Sequence, residues 1–139
     1  MQLGTFGAIL KFASELEEAA SNFYEGAAKK ASLDLQKTFT DFANVSKKNK
    51  QMIERTRRME MQEMILEAIT GIDSDNYKFD MTISSEDKEN VERAIEIESK
   101  TKKFYEDSME KLGFLPNVKK MLAKFASERQ DRIKRLQGL

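Results

Sequence analysis

The stretch LEEAASNFYE (16–25) returns later in the chain as IESKTKKFYE (97–106), with Glu17, Phe23 and Tyr24 matched by Glu98, Phe104 and Tyr105. A second pair follows the first: FTDFANVSKKN (39–49) corresponds to LAKFASERQDR (122–132), aligned on Phe42-Ala43 and Phe125-Ala126. Two similar halves, each contributing two segments, must therefore fill equivalent places in whatever fold the chain adopts. That requirement constrains the architecture more than any single motif does.

The segments themselves are helical. Phe6, Ile9, Leu10, Ala13, Leu16, Ala20, Phe23, Tyr24, Ala27 and Ala28 recur at three-and-four spacing, which places them on one face of a helix. A single proline, six glycines and a charged fraction of 35% suit long helices with solvated outer faces, and no strand-like alternation is evident. The pattern predicts helix one over about Thr5 to Ala31 and helix two over about Leu33 to Ile69, capped by Ser32 after a very short turn. Gly71 should end helix two, and residues 70–84 read as a polar crossover loop. Helix three should begin after Ser84-Ser85 and stop before Gly113, with GFLPN (113–117) as a second tight turn and Asn117 as the cap of helix four. The expectation is one all-α domain over residues 1–139: a four-helix bundle of two antiparallel hairpins, about 5–69 and about 85–137, joined by a long crossover.

Two acids sit on the apolar faces of this arrangement. Glu17 lies on the stripe of helix one, and Glu98 lies with Val91, Ala94, Ile95, Thr101, Tyr105 and Leu112 on that of helix three. In both halves a tyrosine follows the glutamate by seven residues, which returns it to the same face within about 20°. A buried carboxylate is costly unless a metal, a cation or hydrogen bonds hold it. With no Cys and no His, the chain lacks thiol nucleophiles, zinc–thiolate and iron–sulfur sites, and the commonest metal ligand and general base. Lys and Arg (24) balance Asp and Glu (24), so no overall basic field favours nucleic acid or an anionic membrane. The N-terminus has no signal-peptide pattern and no apolar run nears the roughly 20 residues of a membrane span, so a soluble cytoplasmic protein is expected.

On these residues the chain resembles the rubrerythrin-like branch of the ferritin-like superfamily, over nearly its whole length. The resemblance implies a bundle in which two helices each give a Glu and the other two each give a Glu-x-x-His pair, together holding two metal ions. Glu17 and Glu98 match the single glutamates. Counted from the Phe-Ala markers, the first Glu-x-x-His falls on Ser46 and Asn49 and the second on Arg129 and Arg132, so both ligand pairs are lost. Glu128 is one residue out of place, a rotation of about 100°, while Glu54 and Asp131 are out of register. The cysteine module common in the family's peroxide reductases is absent as well.

Arg129 falls on the inward stripe of helix four, with Met121, Leu122, Phe125, Ala126, Ile133 and Leu136. Its guanidinium stays charged and can fork onto carboxylates, so it is the expected cation between Glu17 and Glu98. Ser46, Asn49, Tyr24 and Tyr105 would satisfy the remaining lone pairs. Arg132 and Lys50 are second choices nearer the helix edge, where long side chains reach for water. Helix two, at about 55 Å against about 40 Å for helix one, overhangs its partner, so Met61, Met64, Ile65, Ala68 and Ile69 need cover from the crossover or a second subunit. A homodimer or higher homo-oligomer is the expected state, with another protein as a further possible partner.

Two functions stay open. The first is a non-catalytic scaffold or partner-binding bundle with a degenerate di-iron site and no cofactor. The alternative is an oxidoreductase of the rubrerythrin type, holding iron or manganese through a reduced carboxylate set and acting on peroxide or oxygen. A small-molecule pocket in the vacated centre is a third reading. The missing ligands favour the first.

Overall fold

The computed structural model describes residues 1–61 and 68–139, with the Met61 side chain outside the described part. Four helices follow in order among the described residues: α1 (Phe6–Ala28), α2 (Leu33–Met61), α3 (Asp87–Lys111) and α4 (Pro116–Gln137), with a 3-10 turn at Ser74–Tyr77 between α2 and α3. Four residues separate α1 from α2 and four separate α3 from α4, turns too short for anything but antiparallel neighbours. The architecture is the expected all-α bundle of two hairpins with a long crossover.

Three of the helices start where local chemistry favours it. Thr5 caps α1, its Oγ1 accepting from the Ala8 N–H at 3.1 Å. At α4, Pro116 takes the first helical position and Leu115 is the cap residue, so Asn117 lies inside the helix and not at its cap. Proline is suited there because its missing N–H is one that the first turn leaves unpaired anyway. In the first turn of α3 the buried Asn90 reaches back to the preceding loop, accepting from the Ser84 N–H at 2.8 Å and donating to the Ser84 carbonyl at 2.9 Å.

Helix two does not run to Ile69. Residues 68–70 are non-helical, and the Ile69 N–H donates to the Gly4 carbonyl at 3.0 Å. Leu3 donates in turn to the Ile72 carbonyl at 2.8 Å, so the crossover lies along the N-terminal segment as a short antiparallel bridge between Gln2 and Asp73. Gly71 makes the bend between these contacts at φ +87°, a conformation that favours glycine. Ile69 is consequently buried by its own chain and offers nothing to a partner, whereas Ala68 is exposed. Met64, Ile65 and the Met61 side chain lie outside the described residues.

The core is divided. One apolar cluster gathers Phe6, Ile9, Leu10, Leu16, Ile53, Phe104, Leu122 and Phe125, and a second gathers Ala20, Phe23, Leu35, Phe39, Phe42, Ala94, Ile97 and Leu136. Every helix passes from one cluster to the other, and where it does so it carries polar residues: Glu17, Ser46, Asn49, Glu98, Arg129 and Arg132 are all buried. At about 1.5–3 kcal/mol for each large apolar side chain, the two clusters supply the driving force that holds this polar layer out of water.

Candidate functional site: a buried charge layer

The layer is built from four helices. Glu17 and Tyr24 lie two turns apart on α1, and Glu98 and Tyr105 repeat that spacing on α3. Their hydrogen bonds cross between the halves: the Tyr24 hydroxyl donates to Glu98 Oε1 at 2.6 Å, and the Tyr105 hydroxyl donates to Glu17 Oε2. All four side chains are fully buried. Burial first, and then the facing carboxylate, holds both phenols well above their ordinary pKa, so they remain donors.

Arg129 enters from α4 and lies between the two glutamates. Its Nη2 donates to Glu17 Oε1, and its Nε is 2.9 Å from Glu98 Oε2. The side chain has no exposure to solvent. Burial alone would lower the guanidinium's pKa, but Glu17 and then Glu98 more than reverse this, so it stays charged. One turn on, Arg132 Nη1 reaches Glu98 Oε1 at 3.2 Å and Ser46 Oγ at 3.0 Å. Its guanidinium carbon lies 5.2 Å from the Phe42 ring centroid, within cation–π range. Two carboxylates and two guanidiniums thus cancel inside a low-dielectric interior.

Arg132, expected nearer the helix edge, is only 5% exposed on its side chain and does not turn to water. Its signal was the three-residue spacing from Arg129, which puts both on one face. Asn49 was expected at the central carboxylates; its Nδ2 donates instead to Glu128 Oε2 at 3.1 Å, on the rim of the layer. Ser46 meets Arg132 and not a glutamate. Lys50 reaches Glu18 at 3.3 Å and Glu54 at 3.8 Å on the outside of the bundle, and Ser14 donates to Glu54 at 3.1 Å.

Not every polar atom is paired. Among the described residues, Arg129 Nη1, Arg132 Nη2 and the Thr101 and Ser108 hydroxyls have no hydrogen-bond partner, and Arg129 Nε and Glu98 Oε2 meet as an ion pair without the alignment of a hydrogen bond. No three His, Cys, Asp or Glu side chains gather among the described residues to hold a metal ion. The centre of the bundle is filled by the Arg129 side chain, and a groove of about 570 Å³ lies elsewhere, at the bundle end, floored by Leu35, Val91, Ile95 and Leu136. No described helix is long and apolar enough to cross a membrane.

No protein-family model matches the sequence, and no curated protein matches it. Among solved structures, the chain is similar to a Thermotoga maritima protein that carries the provisional designation of a ferritin-like diiron-carboxylate protein. The two share 18% identity and a TM-score of 0.79, over 99% of this chain and 93% of that one. The fold is therefore that of a ferritin-like four-helix bundle. At this identity the likeness speaks for the fold, and function has to be argued from the site.

Proposed function

We propose that this chain is a ferritin-like bundle whose di-iron site is degenerate and whose role is non-catalytic, as a homo-oligomeric scaffold or partner-binding protein. The observation that carries the reading is the fully buried Arg129, in contact with both Glu17 and Glu98. A dication bound by these carboxylates would need the volume the guanidinium fills and would face two fixed positive charges, Arg129 and Arg132. The donor set does not fit a di-metal centre: the positions where rubrerythrin-like proteins place Glu-x-x-His hold a hydroxyl, an amide and two cations. Hard metals want several oxygen ligands, and imidazole-binding metals want the His that this chain lacks.

In this reading the arginines do structurally what metal does in di-iron bundles. They neutralise the inward carboxylates and tie α1, α3 and α4 together. The second reading, an iron or manganese oxidoreductase acting on peroxide or oxygen, draws on the designation of the Thermotoga maritima protein. Elemental analysis separates the two. Protein purified anaerobically from iron- and manganese-replete cells should contain well under one metal ion per chain; about two per chain would establish the second reading in its place.

A further inference from the structure

The outward side of α2 carries two neighbouring lines of side chains at heptad spacing. Asp34, Asp41, Lys48 and Arg55 follow one another at intervals of seven along the first line, and Val45, Met52 and Met59 do so along the second. Seven residues return to one face within about 20°, and the four-residue offset between the lines sets them side by side. Val45, Met52 and Met59 are 36%, 40% and 59% exposed, a high value for apolar residues sharing one ridge. Asp34, Lys48 and Arg55 are exposed and pair with no other described residue, while Asp41 makes a single exposed contact with Arg135 at 3.3 Å.

The order of signs along the charged line is acid, acid, base, base. Turned end for end it becomes base, base, acid, acid, so the line is complementary to its own reverse. An antiparallel second α2, related by a twofold axis passing between Asn44 and Val45, sets Asp34 opposite Arg55 of the second copy and Asp41 opposite its Lys48. Each pair then occurs twice, as an isologous contact requires. Val45 lies at the axis, and Met52 lies against the aliphatic stem of Lys37 of the second copy. On this axis the charged line faces its own copy and the apolar ridge lies beside it, and complementary charge order is what fixes partner and orientation in helix pairs.

From this self-complementary pattern we infer that the outer face of α2 is the interface of an antiparallel homodimer. A partner of one charge sign, acidic protein or anionic membrane, would match only half of the line and be repelled by the other half. The inference deepens the homo-oligomer part of the proposed function and rests on it only there, since the buried ion pairs take no part.

Light scattering coupled to size exclusion, on the full chain, tests it. The wild-type chain should be a dimer that weakens as salt is raised. Asp41→Lys or Lys48→Asp alone creates two like-charge pairs and should weaken the dimer by about a hundredfold. An equimolar mixture of the two single variants should regain the dimer, because the facing charges are again opposite, and a folding defect cannot produce that rescue. A dimer indifferent to both reversals, or a mixture that stays monomeric, overturns this interface and leaves the homo-oligomer reading standing. A monomeric wild-type chain overturns both.

Discussion

Arg129 Nε lies 2.9 Å from Glu98 Oε2, inside a bundle where neither side chain touches solvent. The same guanidinium holds Glu17, so one cation restrains carboxylates from both duplicated halves. Removing it should be worse than removing it together with one of its partners. Arg129→Ala leaves Glu17 without a cation and should cost about 3–5 kcal/mol. The pair Glu17→Gln with Arg129→Met should cost less, because Glu98 keeps Arg132 and no bare charge remains at position 17. Urea denaturation of the two variants decides it, and equal losses would contradict the account.

Arg132 should matter less than Arg129. It shares Glu98 with Arg129 and Tyr24, so its loss leaves that carboxylate with a cation and a donor. Arg132→Met should cost about 1–3 kcal/mol, the range for losing a charge-assisted hydrogen bond whose acceptor keeps other partners. The midpoint in urea should fall between those of wild type and Arg129→Met.

The two phenols make the core sensitive to alkali. Tyr24 and Tyr105 are held well above their ordinary value by burial and then by Glu98 and Glu17, so the folded state keeps protons that the unfolded state gives up above about pH 10. Their stabilisation is therefore complete below about pH 10 and is lost as pH rises beyond it, by up to about 1.4 kcal/mol per pH unit for each phenol. Tyr77, raised by burial and by Asp107, adds to the slope. Urea titrations from about pH 9 to about pH 11 should give a shallower fall for Tyr24→Phe/Tyr105→Phe than for wild type. Identical slopes would contradict the assignment. At neutral pH each single Phe variant should lose about 1–3 kcal/mol, Tyr105→Phe the more, since Glu17 Oε2 is then left without a donor whereas Glu98 Oε1 keeps Arg132 when Tyr24 is lost.

The two ends of the hairpins give a sharper contrast. Thr5→Ala removes the side-chain cap of α1 and should cost about 1 kcal/mol. Asn117→Ala touches an exposed residue inside the first turn of α4 and should change stability by no more than about 0.5 kcal/mol. Thermal denaturation followed by circular dichroism measures both.

That contrast marks what the sequence makes legible. The hairpins, the crossover and the inward direction of Glu17 and Glu98 follow from periodicity and from the duplication, because these depend on which residues share a helix face. Arg129 is legible for the same reason: its position on the stripe of α4 is fixed by Phe125, Ala126 and Ile133. Side-chain reach is a different matter. Asn49 shares the inner face with Ser46, yet its amide meets Glu128, and only the relative height of α2 and α4 decides that. The crossover's path at Ile69 is not legible either: Ile69 continues the apolar pattern, but its N–H goes to the Gly4 carbonyl and its side chain joins the core cluster that holds Leu3 and Ile72. Asn117 has the chemistry of a cap but the place goes to Leu115, because Pro116 starts the helix two residues earlier than a cap at Asn117 would.

The central claim is that a guanidinium, and not a metal ion, stands between Glu17 and Glu98. A crystal structure of protein loaded with iron or manganese, with anomalous diffraction recorded at the metal edge, tests it directly. The account predicts continuous side-chain density for Arg129 between the two carboxylates and no anomalous peak there. A peak bonded to both glutamates, with Arg129 turned outward, would contradict it.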